Sequence, residues 1–267
     1  AQSLTSGASN VAIGYEALKT TTTGLRNIAI GYEAMHDTDA GSTSSDSDNN
    51  IFIGYTAGGG AWANAKSEFN VMQGVLNGAN NNTALGYFAL ASITSGDTNV
   101  GIGSEAGGVL TTGIKNVIMG VQAGNAMTST NYTTIIGYQA GTAINSTGAN
   151  GTVAVGYEAG NALTSAAGLT AVGYKAATDI VDGHSNTAIG YQALYSEVAS
   201  DQSTAIGYRA LYTQSGSTTT LGNTAVGTLA GYSTTTAYRN TYVGKSAGTL
   251  VTTGQQNTAL GWNALQT

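Results

Sequence analysis

One eight-residue pattern returns along the whole chain, and it constrains the fold more than any other feature. It stands as Asn27-Ile28-Ala29-Ile30-Gly31-Tyr32-Glu33-Ala34, as Asn186-Thr187-Ala188-Ile189-Gly190-Tyr191-Gln192-Ala193 and as Asn257-Thr258-Ala259-Leu260-Gly261-Trp262-Asn263-Ala264. Its pivot glycines are 14, 31, 54, 74, 86, 103, 120, 137, 156, 173, 190, 207, 227, 244 and 261, and nine of the fourteen intervals are 17 residues long. The remaining intervals are 23, 20, 12, 19 and 20, and the 20 and 12 flanking Gly74 sum to 32, close to two units. A 17-residue unit therefore fills the chain.

That length is too short for a helix pair or a propeller blade, whereas two short strands and two turns fit it. The residues three and one before the pivot are β-branched or aliphatic, as at Val11 and Ile13 or Thr204 and Ile206, and alternate with Ala. One strand face is thus bulky and the other small or polar. Clusters such as Thr20-Thr21-Thr22-Thr23-Gly24 mark turns. The expected architecture is all-β, a parallel β-solenoid of about fifteen 17-residue coils forming one repeat domain over 1–267. Stacking at ~4.8 Å predicts a rod of ~70 Å and rows of identical residues along it. Composition agrees: there is no Pro to remove ladder donors, and only 8% of residues are charged, against roughly 25% in ordinary domains. A charge repeated in every coil repels its copies, so the alternation of Glu16, Gln139, Lys175 and Arg209 two residues after the pivot fits such a stack.

The pattern, and Val11-Ala12-Ile13-Gly14 letter for letter, resembles the YadA-like head repeat of trimeric autotransporter adhesins and similar repeats of bacteriophage tail-fibre proteins. The resemblance covers nearly the whole chain. It implies a left-handed β-roll, a homotrimer, a binding role without catalysis, and a place at the cell exterior or on a virion surface. The unit is slightly longer than the adhesins' coil, and the Tyr row is a departure from it. No basic neck, heptad stalk or membrane anchor follows the repeats, which favours a tail-fibre segment, or a fragment, over an adhesin head.

Three rows are expected to be structural: Asn27 and Asn186 four residues before the pivot, the pivots Gly31 and Gly190, and Tyr32 and Tyr191 after them. Asn bonds turn backbone and its stacked copies. Tyr shares the parity of the bulky positions, which places it filling the roll or the contact between chains; an exposed row would offer a carbohydrate-stacking stripe. Two irregular insertions, at 36–49 and 58–69, are the expected recognition surface, with Trp62 as anchor, Phe69 second and Asp46 and Asp48 in a polar rim. The first insertion alternates Asp and Ser but lacks the closing Glu of a calcium loop, so no metal is assigned.

Other functions find little support. The net charge of -6, with eight basic residues, opposes nucleic acid, and no apolar run is long enough to span a membrane as a helix. His36 and His184 are the only histidines, cysteine is absent, and neither His stands in a catalytic motif, so no catalytic residue, cofactor or enzymatic activity is expected. The expected role is a non-enzymatic fibre segment presenting a contact to a cell-surface glycan or protein receptor. A bacterial adhesin head is the alternative. An ice-binding solenoid is the third, and it requires regular Thr-x-Thr, whereas the Thr runs fall in turns.

Overall fold

The computed structural model describes residues 7–20, 23–36, 48–54, 57–58, 79–215 and 221–266. Each described triplet preceding a pivot glycine forms a three-residue strand, because its β-branched or aliphatic residues favour extended backbone and the pivot then turns the chain. The pivots adopt φ between +118° and +143°, open almost only to glycine. The protein is all-β, with parallel strands stacked as a β-solenoid.

Its contacts divide into two compact units. In Ala1–Thr130, β1 (Val11–Ile13), β2 (Ile28–Ile30) and β3 (Ile51–Ile53) form one parallel sheet, and β4 (Thr83–Leu85), β5 (Val100–Ile102) and β6 (Val117–Met119) pair in the same way. In Asn131–Thr267 the order β7 (Thr134–Ile136), β8 (Val153–Val155), β9 (Thr170–Val172), β10 (Thr187–Ile189), β11 (Thr204–Ile206), β12 (Thr224–Val226), β13 (Thr241–Val243) and β14 (Thr258–Leu260) is also the order of pairing. Register follows the repeat, with Thr187 opposite Thr204 and Ile189 opposite Ile206. The longer intervals leave it intact: Ile28 still pairs with Ile51, and Thr204 with Thr224. Between β7 and β8 the additional residues include the short 3₁₀ turn Thr147–Ala149. The coil around Gly74 lies outside the described residues.

Two expectations need correction. Each described coil has one strand, not two. The rest of the coil visits left-handed backbone at fixed places: five residues before the pivot (Ser185, φ 58°), two after it (Gln192, φ 53°) and four after it (Leu194, φ 51°). This conformation is unfavourable for residues with a Cβ, and at these places Thr98 is the only β-branched residue among those described. Hydrogen bonds between coils offset the cost: the Ser185 and Gln192 amides donate backward to Ala167 and Tyr174, and that of Leu194 forward to Ala210, each at 2.9 Å.

The second correction concerns the faces. The roll is filled by the small parity, and the bulky parity points out, so Tyr does not fill the roll. Ala29, Ala154, Ala171, Ala188 and Ala205 are fully buried, whereas Ile53, Leu85 and Leu260 are 65%, 68% and 76% exposed. A coil this short closes too tightly for two large rows to face each other across it. In its interior, wherever the residue two before the pivot or the residue four after it is large, the other is small. Ala188 and Ala205 accompany Leu194 and Leu211, whereas Phe52 and Tyr242 accompany Gly58 and Gly248. A Cβ on Gly58 would meet the Phe52 ring of its own coil at 2.7 Å, so large residues at both places exclude each other.

The Asn row is internal and hydrogen-bonded between coils. Asn99 Nδ2 donates to Gly113 O at 2.8 Å and to Asn82 Oδ1 at 3.0 Å, and the Asn99 amide donates to the same Oδ1 at 2.9 Å. Asn27 receives the Asn50 amide, and Asn186 that of Ser203, in the same manner. Ser203 is too short to serve both functions, and the buried Gln214 substitutes for it: its Nε2 donates to Ser203 Oγ and Glu197 Oε2, and its Oε1 accepts from Asn223 Nδ2. Glu197 Oε1 in turn accepts the amides of Val198, Ala199 and Ser200. This satisfies a fully buried carboxylate.

Candidate functional site

Because the middle residue of the strand, most often Ala, points in, the strands present their other two side chains outward, and the residue after the pivot continues that face. In the coils of β7 to β11 this yields three parallel rows: Thr or Val, then Ile or Val, then Tyr. Tyr138, Tyr157, Tyr174, Tyr191 and Tyr208 stand 41–44% exposed, beside Ile189 at 37% and Ile206 at 36%. The strip is a continuous run of partly exposed apolar side chains on the surface.

The Tyr rings stack on one another, with successive centroids 4.9–5.3 Å apart and planes within 8–14°. Tyr15 and Tyr32 do the same at 5.0 Å. Stacking consumes the ring faces, so the row shows edges and hydroxyls to the outside and offers no platform for a sugar within its run. A second row, not anticipated from the sequence, runs five residues after the pivot: Tyr195, Tyr212 and Tyr232, at 5.2 Å spacing. Its signal was present in the sequence as Ala-Leu-Tyr after Gln192 and Arg209, but only three coils carry it.

Between the two rows runs the polar position two after the pivot. Its residues pair along the stack: Gln122 Nε2 donates to Glu105 Oε2 at 3.0 Å, Lys175 Nζ lies 3.0 Å from Glu158 Oε2, and Arg209 Nε donates to Gln192 Oε1 at 2.9 Å. The Arg209 guanidinium lies 5.2 Å from the ring centroids of both Tyr208 and Tyr212, and so bridges the rows. Partial burial acts to raise Glu158, but hydrogen bonds from Tyr157 and Lys175 outweigh it and hold the carboxyl below its ordinary value; Glu158 in turn raises Lys175. Lys19 lowers Glu16 by a hydrogen bond, against some burial and with help from His36, whose Nε2 is 2.9 Å from Glu16 Oε2.

Of the expected recognition residues, Trp62, Phe69 and Asp46 lie outside the described residues. Asp48 is described, and it is buried at 8% exposure: its Oδ1 accepts the Leu25 amide at 2.8 Å and Oδ2 lies 3.9 Å from Arg26. It is one member of a further ladder six residues before the pivot, where Asp97 accepts from the Asn80 amide, Asn150 from Asn131, His184 Nδ1 from Ala167 and Asp201 from His184. The varied identities at this place conceal the row from sequence inspection, although all of these side chains bear an acceptor. Among the described residues no three His, Cys, Asp or Glu side chains gather as metal ligands, and no helix is long and apolar enough to cross a membrane.

No family model, curated protein or solved structure matches the chain. The adhesin and tail-fibre resemblance accordingly rests on the repeat residues alone.

Proposed function

We propose that the protein is a non-enzymatic fibre segment in which about fifteen coils, wound left-handed, associate as a homotrimer and present a contact to a host cell, most simply as part of a phage tail fibre. The observation that carries this reading is the outward apolar strip. Rows of Ile and Tyr on a sheet face, with small residues consumed inside, are what a side-by-side neighbour of the same kind would cover. The Tyr row thereby keeps one of its two expected places, the contact between chains. The head of a bacterial surface adhesin shares this architecture, and the sequence flanking these repeats in the intact gene separates the two: a stalk leading to a membrane barrel, or a virion-attachment domain.

Sedimentation equilibrium tests the assembly. The expected mass is three times the 26.7 kDa chain, and a monomer at micromolar concentration overturns it. Replacing Ile189 and Ile206 by Lys should then dissociate the trimer while leaving each coil's hydrogen bonds in place. The ice-binding reading has one observation in its favour, the outward Thr row at 170, 187, 204, 224, 241 and 258. The partner of each Thr across the strand is Ile, Val or Leu, so the Thr-x-Thr face is not formed. Absence of thermal hysteresis is the expected result.

A further inference from the structure

Aromatic faces are hidden where the Tyr row is continuous, so a free face requires a break in the row, and the coils of β4, β5 and β6 supply one. Tyr87 is followed at the next coil by Ser104 and then by Val121. Among the described residues Tyr87 makes one ring contact, an edge-to-face contact with Phe88 at 4.4 Å and 71°. Phe88 itself stands where nine other coils carry Glu, Gln, Lys or Arg. The place five after the pivot, filled by Tyr195, Tyr212 and Tyr232 in the second unit, here holds Ala91, Gly108 and Asn125. Two departures from the repeat, in the Tyr row and at Phe88, thus coincide with small residues five after the pivot, and together they open a groove of about 470 Å³ lined by Tyr87, Phe88, Ser92, Glu105, Val109 and Asn125, with Gly108 at its wall. Tyr87 is 65% exposed and Phe88 47%.

We infer that this groove binds a neutral pyranoside unit of a surface glycan. A pyranose has an apolar C–H face bounded by hydroxyls, which matches an aromatic wall with a polar rim, and the volume falls in the usual range for small-ligand sites of roughly 300–1,000 Å³. The Glu105 carboxylate and the Asn125 and Ser92 side chains supply acceptors and donors for hydroxyls. Glu105 and the net charge of -6 disfavour acidic sugars. The inference rests on the proposed recognition role for its biological meaning, but the binding itself does not depend on trimer formation.

The test is saturation-transfer NMR on the purified chain with lactose, cellobiose and N,N′-diacetylchitobiose as probes and sialyllactose as the acidic comparison. Transfer to at least one neutral disaccharide is expected, and weaker transfer to sialyllactose. Phe88→Gln restores the ordinary residue of its row. Gly108→Tyr fills the groove with the residue three other coils carry, at a site where a Cβ would be 3.2 Å from Asn125 Oδ1. Both should keep the melting temperature and weaken binding at least tenfold. No transfer from the parent to any neutral probe overturns the proposal, as does equal transfer in both folded variants; equal transfer to sialyllactose overturns the neutral-sugar assignment. Should Gly108→Tyr fail to fold, Phe88→Gln alone decides. Failure of the fibre reading would appear instead as a monomeric mass, with sugar binding unchanged.

Discussion

The coils of β8 to β11 and those of β4 to β6 are built on the same pattern and reach opposite ends of what it allows. In the former, the inward Ala, the outward Tyr and the paired polar residues recur with little change, and the Tyr rings and polar side chains partner their counterparts in the next coil. In the latter, Gly101 and Ile118 replace the inward Ala, Ser104 and Val121 replace the outward Tyr, and Phe88 replaces the polar residue. Their backbone register is the same nonetheless, with Val100 opposite Val117 and Ile102 opposite Met119. The stack tolerates this variation because backbone bonds, the Asn row and the pivot glycines hold it, leaving the outward places available for function. Regular coils use up their own ring faces by stacking, whereas irregular ones expose them.

If the pivots hold the stack, their loss should be the most damaging change. A Cβ on Gly190 would sit 2.5 Å from Gly207 O, and its φ is +134°. Gly190→Val should cost more than ~4 kcal/mol and abolish cooperative melting. Gly261 shares the conformation, at φ +118°, but nothing lies within 4 Å of its would-be Cβ. Gly261→Ala should therefore show backbone strain alone, about 1–3 kcal/mol. Equal effects at both sites would remove close coil contact from the explanation.

Interior balance is the second basis for the comparison. Gly248→Leu drives a side chain into the Tyr242 ring, and Tyr242→Ala empties a site where the ring is fully buried, a change costing about 3–5 kcal/mol for large aromatics. The double variant recreates the Ala188 and Leu194 arrangement, and Leu194 already has the left-handed φ that a leucine introduced in place of Gly248 would need. Chemical denaturation should show the pair recovering at least ~1–3 kcal/mol relative to the sum of the single changes. Strict additivity would refute the balance.

Much of this was legible in the sequence, and the part that was not has physical causes. Period, parallel stacking, strand triplets and the buried Asn row follow from recurrence, because like residues at a fixed spacing must meet. Which face turns inward does not follow. Ile189 and Ala188 alternate in any strand, and hydrophobicity alone places Ile inside; the decisive quantity is the interior width of a 17-residue coil, which depends on the left-handed residues at 185, 192 and 194. Polar identity conceals these, since Gln, Lys, Arg and Glu there suggest a solvated face and give no hint of conformation. The groove at Tyr87 was likewise written as departures from the pattern, but a break in a row acquires meaning only once the row is known to stack face to face.

The Asn row permits a smaller test. Asn99→Ala leaves the Asn116 amide and Gly113 O without their partner in a site closed to water, and each buried unsatisfied group costs ~1–3 kcal/mol. A loss of about 2–4 kcal/mol is expected, while Asn10→Ala, at a more accessible coil, should cost less. Equal losses would mean that burial does not amplify the ladder.

The smallest expected effect is electrostatic. Glu158 lies below its ordinary 4.5 in the folded state, so its contribution is present above the unfolded value and is lost as pH falls through the folded one. Lys175, raised above 10.5 chiefly by its hydrogen bond to Glu158, contributes below that value and loses its contribution as pH rises through the folded one. Asp179 works against both on the acid side: burial raises it above 3.8 despite Lys175, so its charged form opposes folding and acidification relieves the penalty. Melting temperature should therefore fall only slightly below pH 4.5, where the Glu158 loss and the Asp179 gain oppose each other. Asp179→Asn should steepen that acid decline, and Glu158→Gln should flatten both limbs. Because the Glu158 and Lys175 side chains are partly open to solvent, at 18% and 26%, their share should shrink in molar salt. An acid limb unaffected by either substitution would assign the pH response to other carboxylates.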